Sequence, residues 1–189
     1  MPVKSSFFNP GLKTVPAGIK FRDRETLAGG RIMLTESMED YLEMIYRIIQ
    51  EKGYVRAVDL AGALNIQPSS VTRMIQKLHE GGFVIYEKYR HIALTDKGRR
   101  TGYFLVWRDE MLKDFLTLFN ARVGVEEQVE GIEHYITPPT MCLFRNLVQY
   151  FRAHPEYLDE LLAMNRLNKY PEGERLEDLR AWLFRHSSD

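Results

Sequence analysis

The chain has a single cysteine among its 189 residues, Cys142, which excludes an intramolecular disulfide and fits a reducing compartment. It has no run of about 18 apolar residues, so no membrane-spanning helix is expected. The early stretch FFNPGLKTVPAGIKF is broken by proline and glycine before an apolar segment can form, which excludes a secretory signal peptide. A soluble cytoplasmic protein is the expectation. Net charge is also missing: 26 basic residues balance 26 acidic ones. A uniformly basic polyanion binder is therefore excluded, and so is a uniformly acidic cation store. No internal repeat or low-complexity tract occurs.

What is present is an uneven distribution of those charges. Residues 1–35 carry six basic and two acidic side chains, and residues 36–52 carry two and five. Residues 53–102 carry eight and four, and residues 103–189 carry ten and fifteen. The order basic, acidic, basic, acidic suggests that one inner block meets a polyanion while its acidic neighbours attract cations. Residues 1–34, rich in proline and glycine and without periodicity, read as a flexible basic arm. Gly29-Gly30 lies two codons before Met33, as a purine-rich ribosome-binding sequence would place it, so Met33 reads as the true start. N-terminal sequencing of the native protein tests this, and finding Met1 or Pro2 rules it out.

From Thr35 the pattern becomes regular. Thr35 or Ser37 can cap a helix, with Asp40 three residues after Ser37 in a capping-box position. Met38, Tyr41, Leu42, Ile45, Tyr46 and Ile49 then recur with helical period, and Gly53 ends the run. Two short helices follow, over residues 57–64 and 68–78, the second opened by Pro68, whose missing N–H needs no partner at a first helical position. Val71, Met74, Ile75 and Leu78 form its buried stripe, leaving Ser69, Ser70, Thr72, Arg73, Gln76 and Lys77 outward. FVIYEKYRHIALT reads as a hairpin around Lys88-Tyr89-Arg90. Further helices are predicted over residues 95–119, 125–136, 138–152, 155–167 and 172–184.

Helix, short helix, turn, second helix and hairpin make a winged helix-turn-helix, in which the second helix enters the major groove of duplex DNA. Ser69, Ser70, Thr72, Arg73, Gln76 and Lys77 have the right chemistry for it, since hydroxyls and ammonium groups hold phosphates and arginine pairs bidentately with guanine. Lys88, Tyr89 and Arg90 at the wing tip would reach the backbone or minor groove, and Lys97, Arg99 and Arg100 would add phosphate contacts. A solvated helical hairpin used for protein contacts is the competing reading. The fold class expected is mainly α, a winged helix-turn-helix followed by an α-helical dimerisation domain. The boundaries are residues 35–102 for the first, 103–153 for the second, and 154–189 for a helical tail.

The acidic segments carry a second chemistry. Asp109 lies on a line with Leu105, Leu112 and Leu116, where an acid is costly to bury unless a cation or hydrogen bonds satisfy it. VEGIEHYI places Glu130, Glu133 and His134 on one face, beside a stripe of Val129, Ile132 and Ile136. By itself this stretch fits a solvated face, the commoner case, or half of a metal site. Asp40 and Glu43 form a third acidic pair.

Taken together, SMEDYLEMIY, QPSSVTRMIQKL, IYEKYRHIALTDKG and VEGIEHYI resemble the manganese-responsive branch of the diphtheria-toxin-repressor family, from about Thr35 to about Phe151. The resemblance implies a homodimeric winged-helix repressor that binds operator DNA when metal is present. It implies a binuclear site built from Asp40 and Glu43 of the first helix and Glu130, Glu133 and His134 of a later one. It favours Mn²⁺, with Fe²⁺ as the other candidate, because Asp40 and Glu130 stand where the iron-responsive branch has softer sulfur ligands. One position departs: Asp109 stands where manganese-type members usually have histidine. Asp109 is then either a ligand that hardens the site, a residue behind the ligands, or a sign that only one metal binds.

Two rival classes remain. A metal-independent winged-helix regulator would bind DNA regardless of chelator. A metalloenzyme is disfavoured: the di-iron carboxylate pattern needs Glu-x-x-His on two helices, whereas Glu130 and His134 are four apart, and no nucleophile–base pair appears.

Overall fold

The fold was described from a computed structural model covering residues 34–86, 91–121, 123–165 and 176–186. The expected basic arm therefore lies outside the described residues, as do the wing-tip residues Lys88, Tyr89 and Arg90. The first helix, α1 (Glu36–Lys52), is capped by Thr35, whose hydroxyl accepts the Met38 N–H at 3.4 Å. It ends at Gly53 with φ +80°, a left-handed cap that glycine adopts without strain. Ser37 is already inside the helix, so the expected pairing of Ser37 with Asp40 does not form and Asp40 takes no part in the cap. The buried face runs Met38, Leu42, Ile45 and Ile48; Tyr41, Tyr46 and Ile49 flank it half-buried, apart from the fully covered stripe.

Helices α2 (Ala57–Ala63) and α3 (Pro68–Glu80) follow, joined by a turn in which Asn65 takes φ +52°. Asparagine tolerates that left-handed conformation better than most residues, which lets the chain reverse tightly. Pro68 opens α3 as expected, and the helix continues two residues past Leu78. Strands β1 (Val84–Ile85) and β2 (Ala93–Leu94) pair antiparallel, Val84 with Leu94 and Ile85 with Ala93, and Val55 bridges to Ile92.

The wing is locked to the start of α4 (Asp96–Leu118) by close polar contacts. The Thr95 hydroxyl reaches the Gly82 and Phe83 carbonyls at 2.8 and 3.0 Å and accepts the Gly98 N–H at 3.0 Å. Lys97 donates to the Gly81 carbonyl at 2.7 Å and lies 3.8 Å over the Phe83 ring. The Lys97 ammonium is thus anchored to the wing while the residue itself stays exposed. A Cβ on Gly98 would come within 1.8 Å of the Phe83 carbonyl oxygen, so only glycine fits there.

Two compact units divide between Trp107 and Arg108, within α4. The first is organised around one apolar cluster that includes Leu42, Ile45, Leu60, Val71, Ile75, Leu78, Val84, Ile92 and Leu105. The second contains the end of α4, then α5 (Val125–Ile132), a 3₁₀ turn over Glu133–Tyr135, α6 (Pro138–Ala153), α7 (Pro155–Asn165) and α8 (Leu176–His186). Phe115 packs on Phe119 and Phe144, and Phe119 on Phe151, joining α4 to α6 through aromatic rings. The fold is mainly α, a DNA-binding-type winged helix-turn-helix followed by a helical unit.

Candidate metal centre and nucleic-acid interface

On α3 the polar side chains turn outward. Ser69, Ser70, Arg73, Gln76 and Lys77 are exposed, while Val71, Ile75 and Leu78 are fully buried. Thr72 is half-buried and its hydroxyl donates to the Pro68 carbonyl at 3.1 Å, a bond internal to the helix. Burying one stripe is what presents the other, because a helical period of about 3.6 residues puts the apolar and polar sets on opposite faces.

In the second unit the sequence VEGIEHYI is not one continuous α-helix. Regular α5 ends at Ile132, and Glu133, His134 and Tyr135 form a tighter turn. The inward direction passes through Val129 and Glu133, one turn apart. Glu133 is only 4% exposed, whereas Ile132, expected in the core stripe, is 39% exposed. Glu130 is exposed and His134 half-buried. The carboxylate takes the interior place of the isoleucine because a buried cation lies there to receive it.

That cation is Arg108, itself 3% exposed. Its Nε donates to a Glu133 carboxylate oxygen at 3.4 Å, and its Nη2 lies 3.3 Å from His134 Nδ1. The arginine thus holds together the two central residues of the motif. The sequence pattern assigned Arg108 no role, although its place directly before Asp109 and its cationic character on an apolar helix were the available signals.

Asp109 is buried at 7% exposure and forms an ion pair with Lys113, one turn along α4, at 3.0 Å. Lys113 also pairs with Glu126 in the first turn of α5. Burial works against the Lys113 charge, but hydrogen bonds to Glu126 and Asp109 outweigh it and hold its pKa above the ordinary lysine value. The cost of an acid on an apolar line is met here by an internal ammonium.

Asp40 and Glu43 lie on α1 of the first unit, both half-buried. Glu43 accepts from Arg47 Nε at 2.8 Å, a pair one helical turn long. The chemistry of the donor set suits a hard divalent ion: carboxylate oxygens and one imidazole, with no thiolate among them. A carboxylate as buried as Glu133, with an imidazole beside it, also fits a group that must be desolvated to bind. Among the other histidines, His79 donates from Nδ1 to the Val84 carbonyl at 3.0 Å and His154 to the Tyr150 carbonyl at 2.9 Å, both structural contacts.

Comparison with known proteins agrees with this organisation. Residues 33–92 match the family model described as iron dependent repressor, N-terminal DNA binding domain. Residues 95–162 match iron dependent repressor, metal binding and dimerisation domain. The chain is 45% identical over 147 residues to the HTH-type transcriptional regulator MntR of Shouchella clausii (strain KSM-K16), covering 75% of this chain and 100% of that one. It is 49% identical over 143 residues to MntR of Bacillus subtilis (strain 168), covering 73% and 98%. Among solved structures, the manganese regulator SloR shares the fold with a TM-score of 0.54 at 22% identity, over 62% of this chain and 55% of that one. ScaR with bound Zn²⁺ matches with a TM-score of 0.50 at 25% identity, over 60% and 54%. The chain spans about half the length of these solved structures. With both family models matched in tandem and curated relatives covered almost end to end, the chain belongs to the iron-dependent repressor family, the diphtheria-toxin-repressor class of metalloregulators.

Proposed function

We propose that this protein is a metal-dependent DNA-binding regulator that represses manganese transport genes and is activated by Mn²⁺. The observation that carries the reading is the buried Glu133 beside His134, in a chain whose other unit presents a polar recognition face on α3. Relatives 45% and 49% identical, named as MntR regulators, support the choice of metal. Residues 35–102 are assigned DNA binding, residues 103–153 metal binding and homodimerisation, and residues 154–189 an extension of the dimer surface. Cytoplasmic location follows from that role, and no helix among the described residues is long and apolar enough to cross a membrane. Catalysis forms no part of the reading.

Asp40, Glu43, Glu130, Glu133 and His134, with Asp109 beside them, are the proposed ligands of a centre of the binuclear type. Mn²⁺ is the cognate ion and Fe²⁺ its competitor. When bound, the metal supplies positive charge to carboxylates that otherwise repel one another. The donors come from α1 in one unit and from α5 and its terminal turn in the other. Their common engagement restricts the DNA-binding unit against the dimer core and narrows the spacing of two recognition helices toward successive major grooves. Ser69, Ser70, Thr72, Arg73, Gln76 and Lys77 would meet the operator, with Lys88, Tyr89 and Arg90 at the wing.

The test is binding of the full chain to the promoter of a neighbouring transporter gene, titrated with Mn²⁺, Fe²⁺ and Zn²⁺ with and without chelator. Tight binding with Mn²⁺ that chelator abolishes is expected. Binding indifferent to chelator would return the protein to the class of metal-independent winged-helix regulators. Glu133→Gln should remove the metal response, and an unchanged response would overturn the ligand assignment.

A further inference from the structure

The hairpin formed by β1 and β2 is small: each strand has two residues, Val84 paired with Leu94 and Ile85 with Ala93. A two-stranded ribbon of that size is marginal by itself, so its position depends on what holds its base. Polar contacts from its neighbours supply that hold. Along one edge the Ile92 N–H donates to the Val55 carbonyl at 2.8 Å. His79, in the last turn of α3, donates from Nδ1 to the Val84 carbonyl at 3.0 Å. Thr95 closes the open end, where the chain leaves β2 for α4. It follows Leu94 in the register and faces Phe83, whose carbonyl accepts the Thr95 N–H at 3.1 Å. Its hydroxyl lies 2.8 Å from the Gly82 carbonyl and 3.0 Å from that of Phe83, and accepts the Gly98 N–H at 3.0 Å. The hydroxyl proton serves one carbonyl at a time while the lone pair holds the first turn of α4. One side chain thus joins the exit from α3, both legs of the hairpin and the start of α4.

We infer that Thr95 is a positioning residue for DNA binding, its hydroxyl fixing the wing relative to α3 so that recognition helix and wing meet the operator as one preformed surface. The inference rests on the proposed operator contacts of α3 and the wing, and deepens them. Base readout depends on how the second helix sits in the groove, and contacts to the DNA backbone set that register. A loose wing must be ordered when DNA binds, whereas a wing held at its base has met that cost in folding. The competing role is that of a plain helix cap, since the hydroxyl also accepts the Gly98 N–H. A cap acts on stability and is indifferent to what the wing touches.

The experiment measures affinity of the full chain for the transporter-gene promoter by fluorescence anisotropy at saturating Mn²⁺. Thr95→Val keeps the branched shape without the hydroxyl, and Thr95→Ser keeps the hydroxyl; each is first checked for a native circular dichroism spectrum. Thr95→Val should bind about tenfold more weakly, the scale of one lost hydrogen bond, and Thr95→Ser close to wild type. Thr95→Val is then added to a chain carrying Lys88→Ala, Tyr89→Ala and Arg90→Ala, where the further loss should disappear because the wing has little left to place. Wild-type affinity in folded Thr95→Val, or an equal loss on both backgrounds, overturns the positioning role and leaves Thr95 a helix cap. If Thr95→Val does not fold, Thr95→Ala replaces it in both arms, and failure of both to fold overturns the role as well. Wild-type affinity in the chain with the three alanines overturns the wing contacts and the role of Thr95 together, leaving recognition by α3 intact. No promoter binding by the wild type overturns the operator assignment itself.

Discussion

The two units bury different things. In the first, the interior around Leu42, Ile45, Ile75 and Leu78 is apolar throughout. Among the described residues, the buried charged groups Arg108, Asp109 and Glu133 all belong to the second. An apolar interior fixes the position of a recognition face by close packing, and any loss of volume is felt as instability. Buried ions contribute little net stability, because desolvation offsets most of their attraction. Their presence in the second unit makes each buried charge depend on a particular partner, Arg108 for Glu133 and Lys113 for Asp109.

The sharpest way to break that contrast is Arg108→Met. It leaves Glu133 as a buried carboxylate without its guanidinium, which should cost about 3–5 kcal/mol. Chemical denaturation should show that loss, and saturating Mn²⁺ should recover part of it; a deficit unchanged by metal would separate Glu133 from the metal centre. Leu42→Ala, in the fully buried face of α1, should cost about 2–5 kcal/mol by the same measurement. Here Mn²⁺ should stabilise variant and wild type equally, since the cavity lies in the apolar interior.

Arg73→Ala tests the outward face of the first unit. The expected loss is about 1–3 kcal/mol on operator DNA and much less on bulk DNA, measured by fluorescence anisotropy at fixed salt. Equal losses on both would make Arg73 a phosphate contact. The smallest effect is expected at Asp59, which accepts the Arg56 N–H at 2.9 Å at the start of α2. The side-chain hydrogen bond from Arg56 holds its carboxyl below the ordinary carboxylate value. A lowered native pKa stabilises above the unfolded value near ~3.9, and that contribution disappears as pH falls through the lower native value. Asp59→Asn should therefore destabilise by no more than about 0.5 kcal/mol at neutral pH, and less still in strong acid, because this exposed pair is screened. Urea denaturation at neutral and at acid pH checks the sign.

Much of the fold was legible because it depends on short-range rules. Pro68, Gly53 and the Val71–Ile75–Leu78 stripe each act within one or two helical turns, and the helices begin and end close to where those residues place them. The terminal turn of α5 was harder to read. Glu133 and Ile132 exchange places relative to the expected stripe because a residue 25 positions earlier provides a buried guanidinium. No local pattern carries that information. The contacts of Lys97 with Gly81 and Phe83 were illegible for a similar reason, since they depend on how the wing folds back on α4.

The sequence by itself determined the helical order, the outward polar set on α3 and the types of donor available to a metal, since periodicity and residue chemistry are local properties. Only the tertiary structure decided which ions face each other inside the second unit. Arg108 with Glu133 and Lys113 with Asp109 and Glu126 are set by packing. Desolvation makes the identity of a charge's neighbour the deciding energy, and that neighbour is chosen by the fold.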